Sequence, residues 1–448
     1  MQYSKQKKRI INLIVLIVAL TAMLHISGEA LEPVSYSTYF NHNLEVIDGK
    51  NKSYDVIFVG ASRVYRSFVP AVFEKESGYE KVLNAGSSSQ SLAGSYYETK
   101  DLIERYHPKT IVLGVTFDEI VEYKQIIQGD LIVYDRLTNC RNKASFLVTT
   151  FKGADLLYGI KAYRYRSSFN KESVKENYQK KKSLLASNYA PEVVNDEYYA
   201  DKGFVFSNKS FQSGNVPITG NDSFSKKKLD RKKIAYLDKI VTLCKKNDVH
   251  LILVSGPTTV MRIYNTKGYQ EATDFYSKYA KEKGLKYYNL EYEINDVKDW
   301  YDGYQFGNTE VYNPWSIMNF LKDGELKSRI FAEILNKEEA GENTDSYFFN
   351  NTDELKKQIN YVVAVKGKIQ KKKSHKYISI SSLQNSDIVP EYKVSLLKDD
   401  GNTEILYDYS AVKKVDISGI KGKVIVYARA KGSKKAYDAF QEYNIDKI

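Results

Sequence analysis

A short apolar run that ends in three small residues constrains the fold of this chain most. Val56-Ile57-Phe58-Val59 stops at Gly60-Ala61-Ser62, which is the pattern of a buried parallel strand leaving a sheet through a tight turn. Similar runs follow at 81–86 (KVLNAG) and 110–115 (TIVLGV), with a helix-like segment before each. Strands that alternate with helices predict an α/β fold with a doubly wound parallel sheet.

This rhythm is interrupted between about residues 125 and 225 by a segment rich in Tyr and Lys. It resumes with the strand patterns HLILVSG (250–256) and LKYYNLEYE (285–293). We therefore predict one α/β domain over residues 54–340 with an insertion at about 125–225. The insertion could cover the carboxyl edge of the sheet and shape a cleft there, or it could be a surface excursion, and the sequence favours neither.

The composition changes after a polar segment, AGENTDS, at 340–346. Short alternating runs then follow one another with turn residues between them, which predicts a linker at 341–354 and a small β-sandwich at 355–448. This region carries a Lys-rich stretch, either a solvated hairpin face or a docking site for anionic polymer or lipid headgroups. Its lysines are Lys366, Lys368, Lys371, Lys372, Lys373 and Lys376.

The amino terminus predicts a membrane anchor. Lys5, Lys7, Lys8 and Arg9 precede an uncharged, mostly apolar run at 10–26, the pattern of a signal anchor or a signal peptide. We favour an uncleaved, single-pass anchor in the cell membrane, although Gly28-Glu29-Ala30 is a weak cleavage motif. The positive-inside rule then gives a cytoplasmic tail at 1–9, a juxtamembrane linker at 27–53 and an extracytoplasmic remainder.

Charge and cysteine content limit the partners. The net charge of +12 suits an anionic neighbour such as a membrane surface or an acidic envelope polymer, whereas no nucleic-acid-binding motif is found. Two cysteines, Cys140 and Cys244, give no disulfide framework, and Cys244 is expected to be a buried free thiol, with a bridge to Cys140 as the alternative. Metal-ligand spacings and nucleotide-binding fingerprints are also missing, so we expect neither a metal nor a cofactor.

The turns after the first two strands resemble those of the SGNH/GDSL hydrolase superfamily, over about residues 54–335. Gly60-Ala61-Ser62 is similar to the nucleophile block and Asn84-Ala85-Gly86 to the second block, within a chain similar to membrane-anchored Gram-positive envelope proteins. Those are the D-alanyl–lipoteichoic acid transfer proteins and the polysaccharide O-acetylation proteins. The resemblance implies that Ser62 is the nucleophile and that Gly86, beside Asn84, lines an oxyanion hole.

Two departures from the family pattern put catalysis in doubt. The third block, Gly114 to Asp118, lacks the usual Asn and has Thr116 and Asp118 as its polar residues. The late Asp-x-x-His motif is matched by Asp302 and Gln305, and a glutamine cannot accept a proton near neutral pH. Asp302 and Gln305 are therefore the expected partners of Ser62, but the pair lacks the histidine that acts as the base in the family.

No histidine offers an obvious replacement. His107 and His250 each come just before a strand, which predicts the amino edge of the sheet, opposite Ser62. His25 lies in the anchor, and His42 and His375 would have to fold across onto the cleft. Asp118 or Asp302 acting alone is the remaining option.

Three functions stay open. The favoured one is a catalytically degenerate protein of cell-envelope polymer metabolism that binds a polysaccharide, a teichoic-acid-like polymer or a membrane acyltransferase partner. The second is an active acyl esterase or O-acyltransferase that uses Ser62 with an unorthodox base. The third is a structural adhesion module.

Overall fold

The computed structural model describes most of the chain. The described residues are 2–48, 53–121, 126–186, 197–199, 202–207, 224–256, 263, 266–290, 320–372 and 374–447. The helices of this part are α1 (Gln2–Leu31), α2 (Tyr36–Asp48), α3 (Ser62–Ser67), α4 (Pro70–Ser77), α5 (Leu92–Tyr106), α6 (Ile127–Arg136), α7 (Cys140–Thr150), α8 (Lys161–Arg164), α9 (Lys171–Ala186), α10 (Arg231–Lys246), α11 (Tyr269–Lys283), α12 (Phe320–Glu339) and α13 (Thr352–Lys357).

A five-stranded parallel sheet forms the centre of the α/β region, as the sequence predicted. The strands of this region are β1 (Val56–Val59), β2 (Val82–Asn84), β3 (Thr110–Gly114), β4 (Glu197–Tyr199), β5 (Val205–Ser207), β6 (His250–Ser255) and β7 (Lys286–Asn289). The sheet has the order β2-β1-β3-β6-β7, and β4 and β5 form a separate hairpin. All pairs in the sheet are parallel, with Phe58 opposite both Asn84 and Val112.

Helices cover both faces of this sheet, which is why its strands are apolar throughout. Ile57 and Val59 point into a core shared with α5, α10 and α11. Val56 and Phe58 point the other way, into a core shared with α3, α4 and α12. The period of two in a strand sends alternate side chains to opposite layers, so a four-residue strand without a polar position fits only a sheet buried on both sides.

Local signals set several helix boundaries. The Ser91 hydroxyl accepts a hydrogen bond from the Gly94 N–H at the start of α5, and Asp230 caps α10 through the N–H groups of Lys232 and Lys233. Pro70 begins α4. These residue types are the ones that satisfy or avoid the unpaired donors of a helix amino terminus.

The segment 27–53, which we expected to be a linker, is largely helical. Helix α1 continues to Leu31 and α2 follows, with Tyr39, Phe40 and Leu44 buried in the core beside α5 and β2. Three bulky apolar side chains on one face of a short helix explain this difference. Their burial lowers the free energy of the folded state, whereas a solvated linker would leave them exposed to water. Upstream, residues Gln6–Leu31 of α1 are long and apolar enough to cross a membrane.

The predicted insertion folds over α5 and the β2 edge. Helices α6 and α7 pack on α5 around Tyr97, Leu131, Val133 and Phe146, and the β4–β5 hairpin adds a backbone hydrogen bond from the Asn84 N–H to the Lys202 carbonyl. Close to the carboxyl edge, a Cβ on Gly129 of α6 would lie 2.2 Å from the Ser89 carbonyl oxygen. Helix α6 therefore lies directly on the loop that follows β2.

The carboxyl-terminal region contains two antiparallel sheets around one core. Its strands are β8 (Ala364–Lys372), β9 (His375–Leu383), β10 (Pro390–Leu397), β11 (Thr403–Ser410), β12 (Lys414–Asp416), β13 (Lys423–Ala430) and β14 (Ala439–Asn444). One sheet has the order β11-β10-β13-β14 and the other β12-β9-β8. Both contribute side chains to one cluster, including Ile378, Val394 and Val426.

The segment 341–354, which we also expected to be a linker, is attached to the α/β region. Tyr347 and Phe348 pack on the core beside α12, and the Thr352 hydroxyl and N–H both donate to Gln270 Oε1 of α11.

Both cysteines are free, with Cys140 exposed and Cys244 buried. Burial raises the pKa of the Cys244 thiol to about 12.

Candidate functional site

Ser62 lies where the sequence places a nucleophile, at the carboxyl end of a central strand. It is the first residue of α3, directly after β1, and it is partly exposed. Gly60 has φ = +146°, a conformation that a side chain would disfavour. A Cβ on Gly114 would lie only 2.1 Å from Val64 Cγ2, so the glycines at both strand ends let α3 pack tightly on the sheet.

The turn after β2 lies beside the Ser62 turn and is bonded to it. The Ser87 N–H donates to the Gly60 carbonyl at 2.9 Å. The fully buried Asn84 side chain donates to the carbonyls of Val64 (2.9 Å) and Phe68 (2.8 Å) on α3 and its end. The two turns are thus brought together at one edge of the sheet, as their sequence positions indicated.

The Gly86 amide is engaged within this turn. Its N–H donates to Asn84 Oδ1 at 3.1 Å, and the residue is buried. A Cβ at this position would lie 2.8 Å from the Tyr65 nitrogen and 3.0 Å from Val64 Cβ, so contact with α3 requires a glycine here. The donor that the family resemblance assigns to an oxyanion therefore already has an acceptor in this structure.

A buried ion pair, which sequence reasoning missed, holds the same turn from behind. Arg136 Nη1 of α6 donates to the Ala85 carbonyl at 2.8 Å and lies 3.3 Å from both the Gly86 carbonyl and Glu98 Oε1. Gln90 Nε2 donates to the other Glu98 oxygen at 2.7 Å and, through Oε1, accepts from the Ser87 hydroxyl. Burial raises the pKa of Glu98, and Arg136 and Gln90 oppose that rise.

The third predicted turn, after β3, forms a capping box. The Thr116 side chain caps a short 3-10 helix at Phe117–Glu119, while Glu119 accepts the Thr116 N–H at 3.2 Å. The Thr116 carbonyl accepts a hydrogen bond from the buried Tyr276 hydroxyl at 2.7 Å. Asp118 is partly exposed on the same turn. Thr116 is thus a structural cap, and its carbonyl is engaged as well.

Glu119 is a further residue that sequence reasoning missed. Burial raises its pKa to about 8; the Thr116 N–H and the cations Arg63 and Lys233 oppose the rise, and Asp118 adds to it. Arg63 is the neighbour of Ser62, so a carboxyl group with a raised pKa lies within electrostatic range of the Ser62 turn. The Thr116-Phe-Asp-Glu119 spacing of a capping box was the available sequence signal.

The structure describes some of the remaining candidate site residues and not others. Asp302 and Gln305 lie outside the described residues. His107 ends α5 just before β3, and His250 begins β6, so both lie at the amino edge of the sheet, as predicted. His375 is on β9 beside Asp416 and Ser418. Within the described part of the chain, no group of three or more His, Cys, Asp or Glu side chains is arranged to hold a metal ion.

Comparisons with known proteins gave structural similarities only. No family model matches the chain, and no curated protein matches it. A solved structure of a protein assigned as an acylhydrolase, from Bacteroides fragilis NCTC 9343, is 10% identical with a TM-score of 0.27, covering 65% of this chain and 95% of that one. A GDSL-like lipase from Bacteroides thetaiotaomicron VPI-5482 is 12% identical with a TM-score of 0.27, covering 67% and 99%. The resemblance to the SGNH/GDSL superfamily therefore rests on the two turns described above.

Proposed function

We propose that this chain is a membrane-anchored, extracytoplasmic SGNH-hydrolase-like protein of cell-envelope polymer metabolism whose hydrolytic site is degenerate. In this proposal the protein binds a polysaccharide, a teichoic-acid-like polymer or a membrane acyltransferase partner, and does not turn over an ester. The apolar α1 and the net charge of +12 support a place at an anionic envelope surface.

The observation that carries the degenerate site is the hydrogen bond from the Gly86 N–H to Asn84 Oδ1. An oxyanion hole works because its donors are aimed at the developing negative charge and need no rearrangement. Here Asn84 is fixed by two further hydrogen bonds to α3, so freeing the Gly86 N–H would disturb the helix that carries Ser62. Gln305 at the position of the family's base points in the same direction, since glutamine does not accept a proton.

The alternative, an active esterase or O-acyltransferase with an unorthodox base, draws on the turn after β3, where the carboxyl group of Glu119 interacts with Arg63, the neighbour of Ser62. A general base works best when its pKa is close to the working pH, and the pKa of Glu119 is raised to about 8. Under this alternative, turnover by Ser62 increases as the pH rises through about 8, because the ionised carboxylate is the form that accepts the proton.

Hydrolysis of p-nitrophenyl acetate by the full-length protein in detergent separates the two functions. The degenerate site predicts the same background rate for the wild type and Ser62→Ala. It predicts at most a small gain for Gln305→His, because a restored base would still lack the Gly86 donor. Wild-type turnover that is lost in both Ser62→Ala and Glu119→Gln, and that increases above pH 8, would establish the alternative instead.

A further inference from the structure

Helix α1 packs against the rest of the protein at its carboxyl end. A Cβ on Gly28 would lie 2.6 Å from Lys161 Cβ and 3.0 Å from the Ala162 nitrogen, so the α1 backbone lies directly against α8. Lys161 Nζ contacts Glu29 at 2.8 Å and Glu32 at 3.0 Å. On the other side, the buried Asn177 of α9 donates to the Leu31 carbonyl at 3.2 Å. The carboxyl end of the apolar helix is thus held between α8 and α9.

This attachment fixes the level of α8 relative to a membrane. The uncharged run of α1 ends at Ile26, and Gly28 touches α8 only two residues later, a rise of about 3 Å along a helix. The headgroup region extends roughly 5 to 8 Å beyond the hydrocarbon on each side. If α1 spans a bilayer, α8 and the residues directly before and after it therefore lie in the headgroup layer.

The segment around α8 exposes large apolar side chains. A 3-10 helix, Gly153–Gly159, precedes α8, and a shorter one, Arg166–Ser168, follows it. Leu157 is 44% exposed and Phe169 is 77% exposed. Further exposed apolar side chains of this segment and of the adjacent α7 are Val148, Leu156 and Ile160. A soluble surface seldom concentrates leucine, isoleucine and phenylalanine in this way.

Aromatic and basic groups accompany these side chains. The Arg166 guanidinium lies over the Tyr163 ring, 3.9 Å from its centroid, and the Tyr158 and Tyr163 rings are 5.8 Å apart. Lys152 and Arg166 are exposed, and Asp155 is partly exposed. Apolar side chains with tyrosine and basic residues at their margin are typical of surfaces that lie at the membrane–water interface.

We propose that residues 153–169, which we name the interfacial segment, rest on the lipid bilayer that α1 crosses. Leu156, Leu157, Ile160 and Phe169 insert between the headgroups, while Lys152 and Arg166 contact lipid phosphates. The protein is thereby held at two places and keeps one orientation over the membrane. This inference rests on the anchoring part of the proposed function and is independent of whether Ser62 is catalytic.

Depth-dependent fluorescence quenching tests the interfacial segment directly. The full-length protein carries Cys140→Ser, and single cysteines at Leu157, Phe169, Leu16 or Ile405 are labelled with NBD; the buried Cys244, whose pKa is about 12, stays unlabelled. Each variant is placed in nanodiscs of phosphatidylcholine and phosphatidylglycerol that contain lipid spin-labelled either near the top of the acyl chain, which reports on positions 157, 169 and 405, or near its end, which reports on Leu16 in the middle of the apolar run. Ile405 is the matched control, because it is an exposed apolar residue of β11.

We expect the Leu157→Cys and Phe169→Cys labels to be quenched at least twofold more than the Ile405→Cys label, with blue-shifted emission. Equal quenching at 157, 169 and 405 while Leu16→Cys is strongly quenched would overturn the interfacial segment and leave the anchor intact. Absence of quenching at Leu16→Cys would overturn the anchor, and this inference with it.

Discussion

The two turns at the carboxyl edge of β1 and β2 come from neighbouring strands but differ in how their polar groups are used. In the Ser62 turn, the nucleophile candidate is partly exposed at the start of α3. In the Gly86 turn, the Gly86 N–H and the carbonyls of Ala85 and Gly86 have partners inside the protein. The comparison teaches that two adjacent turns at one sheet edge can differ: the Ser62 turn presents a partly exposed serine, whereas the polar backbone groups of the Gly86 turn hold the fold together.

The largest effect on stability is expected from Arg136, the buried cation that contacts the Gly86 turn. Arg136→Ala leaves the carboxylate of Glu98 buried without its cation, which typically costs about 3–5 kcal/mol. We expect a loss of that size in the apparent free energy of unfolding, measured by urea denaturation in detergent. Arg166→Ala is the control, because Arg166 is exposed. Partial recovery in Arg136→Ala/Glu98→Gln would follow from removing the unpaired charge, whereas a loss below about 1 kcal/mol for Arg136→Ala would contradict a tightly held turn.

The close contact of Gly86 with α3 gives the next largest effect. Gly86→Ala places a methyl group 2.8 Å from the Tyr65 backbone nitrogen, and overpacking of this kind costs about 1–3 kcal/mol. Urea denaturation is again the measurement. Gly256→Ala provides a control for the loss of a glycine without a clash, since the heavy atom nearest to a Cβ there, Ser67 Oγ, lies 3.6 Å away, an ordinary contact distance. A variant as stable as the wild type would mean that α3 does not press on this turn.

Glu119 should make the stability of the protein depend on pH. Its pKa of about 8 in the folded protein exceeds the ordinary value of 4.5, so the folded state holds the proton more tightly than the unfolded state. The resulting stabilisation is fully present below about pH 4.5 and is lost as the pH rises through 8. Because Glu119 is partly exposed, we expect the wild type to lose on the order of 1 kcal/mol of stability as the pH rises from 5 to 8. Glu119→Gln should not show this loss. Parallel pH profiles for wild type and variant would contradict the raised pKa.

The smallest effect on stability is expected at the Ser62 turn. Ser62→Ala removes a hydroxyl that is partly exposed, and such surface changes usually alter stability by less than about 0.5 kcal/mol. Urea midpoints of Ser62→Ala and the wild type should therefore coincide. A decrease of more than about 1 kcal/mol in the free energy of unfolding would show that the Ser62 turn contributes to stability as the Gly86 turn does.

Sequence patterns predicted the parallel sheet because its signal is local. Apolar runs such as Val56–Val59 and Thr110–Gly114 can be buried on both faces only in an α/β layer structure. The same runs placed Ser62 and Gly86 at the carboxyl edge, and His107 and His250 at the opposite one. Helix α2 was missed because three buried apolar positions, Tyr39, Phe40 and Leu44, are too few in a short polar segment to establish a helical period from the sequence.

The interactions that distinguish the two turns could not be predicted in the same way. Glu98 and Arg136 are 38 residues apart, and each would ordinarily be assigned to the surface, because a buried charge is tolerated only beside its partner. The bond from the Gly86 N–H to Asn84 Oδ1 spans two residues and is an Asx turn, which asparagine favours, but the long-range bonds that hold the Asn84 side chain to α3 and its end could not be predicted from the sequence. The position of Ser62 at the sheet edge is therefore easier to predict than the hydrogen bonds of the turn beside it.

Active-site labelling of Ser62 tests the degenerate site most directly. The full-length wild type, Ser62→Ala and Gln305→His are incubated with a fluorophosphonate, and covalent adducts are measured by intact-protein and peptide mass spectrometry. An activated serine is required for this reaction, since the hydroxyl is a weak nucleophile without an adjacent base. The proposal predicts no adduct on Ser62 in the wild type above the background of Ser62→Ala. Rapid, stoichiometric modification of Ser62 in the wild type would contradict it.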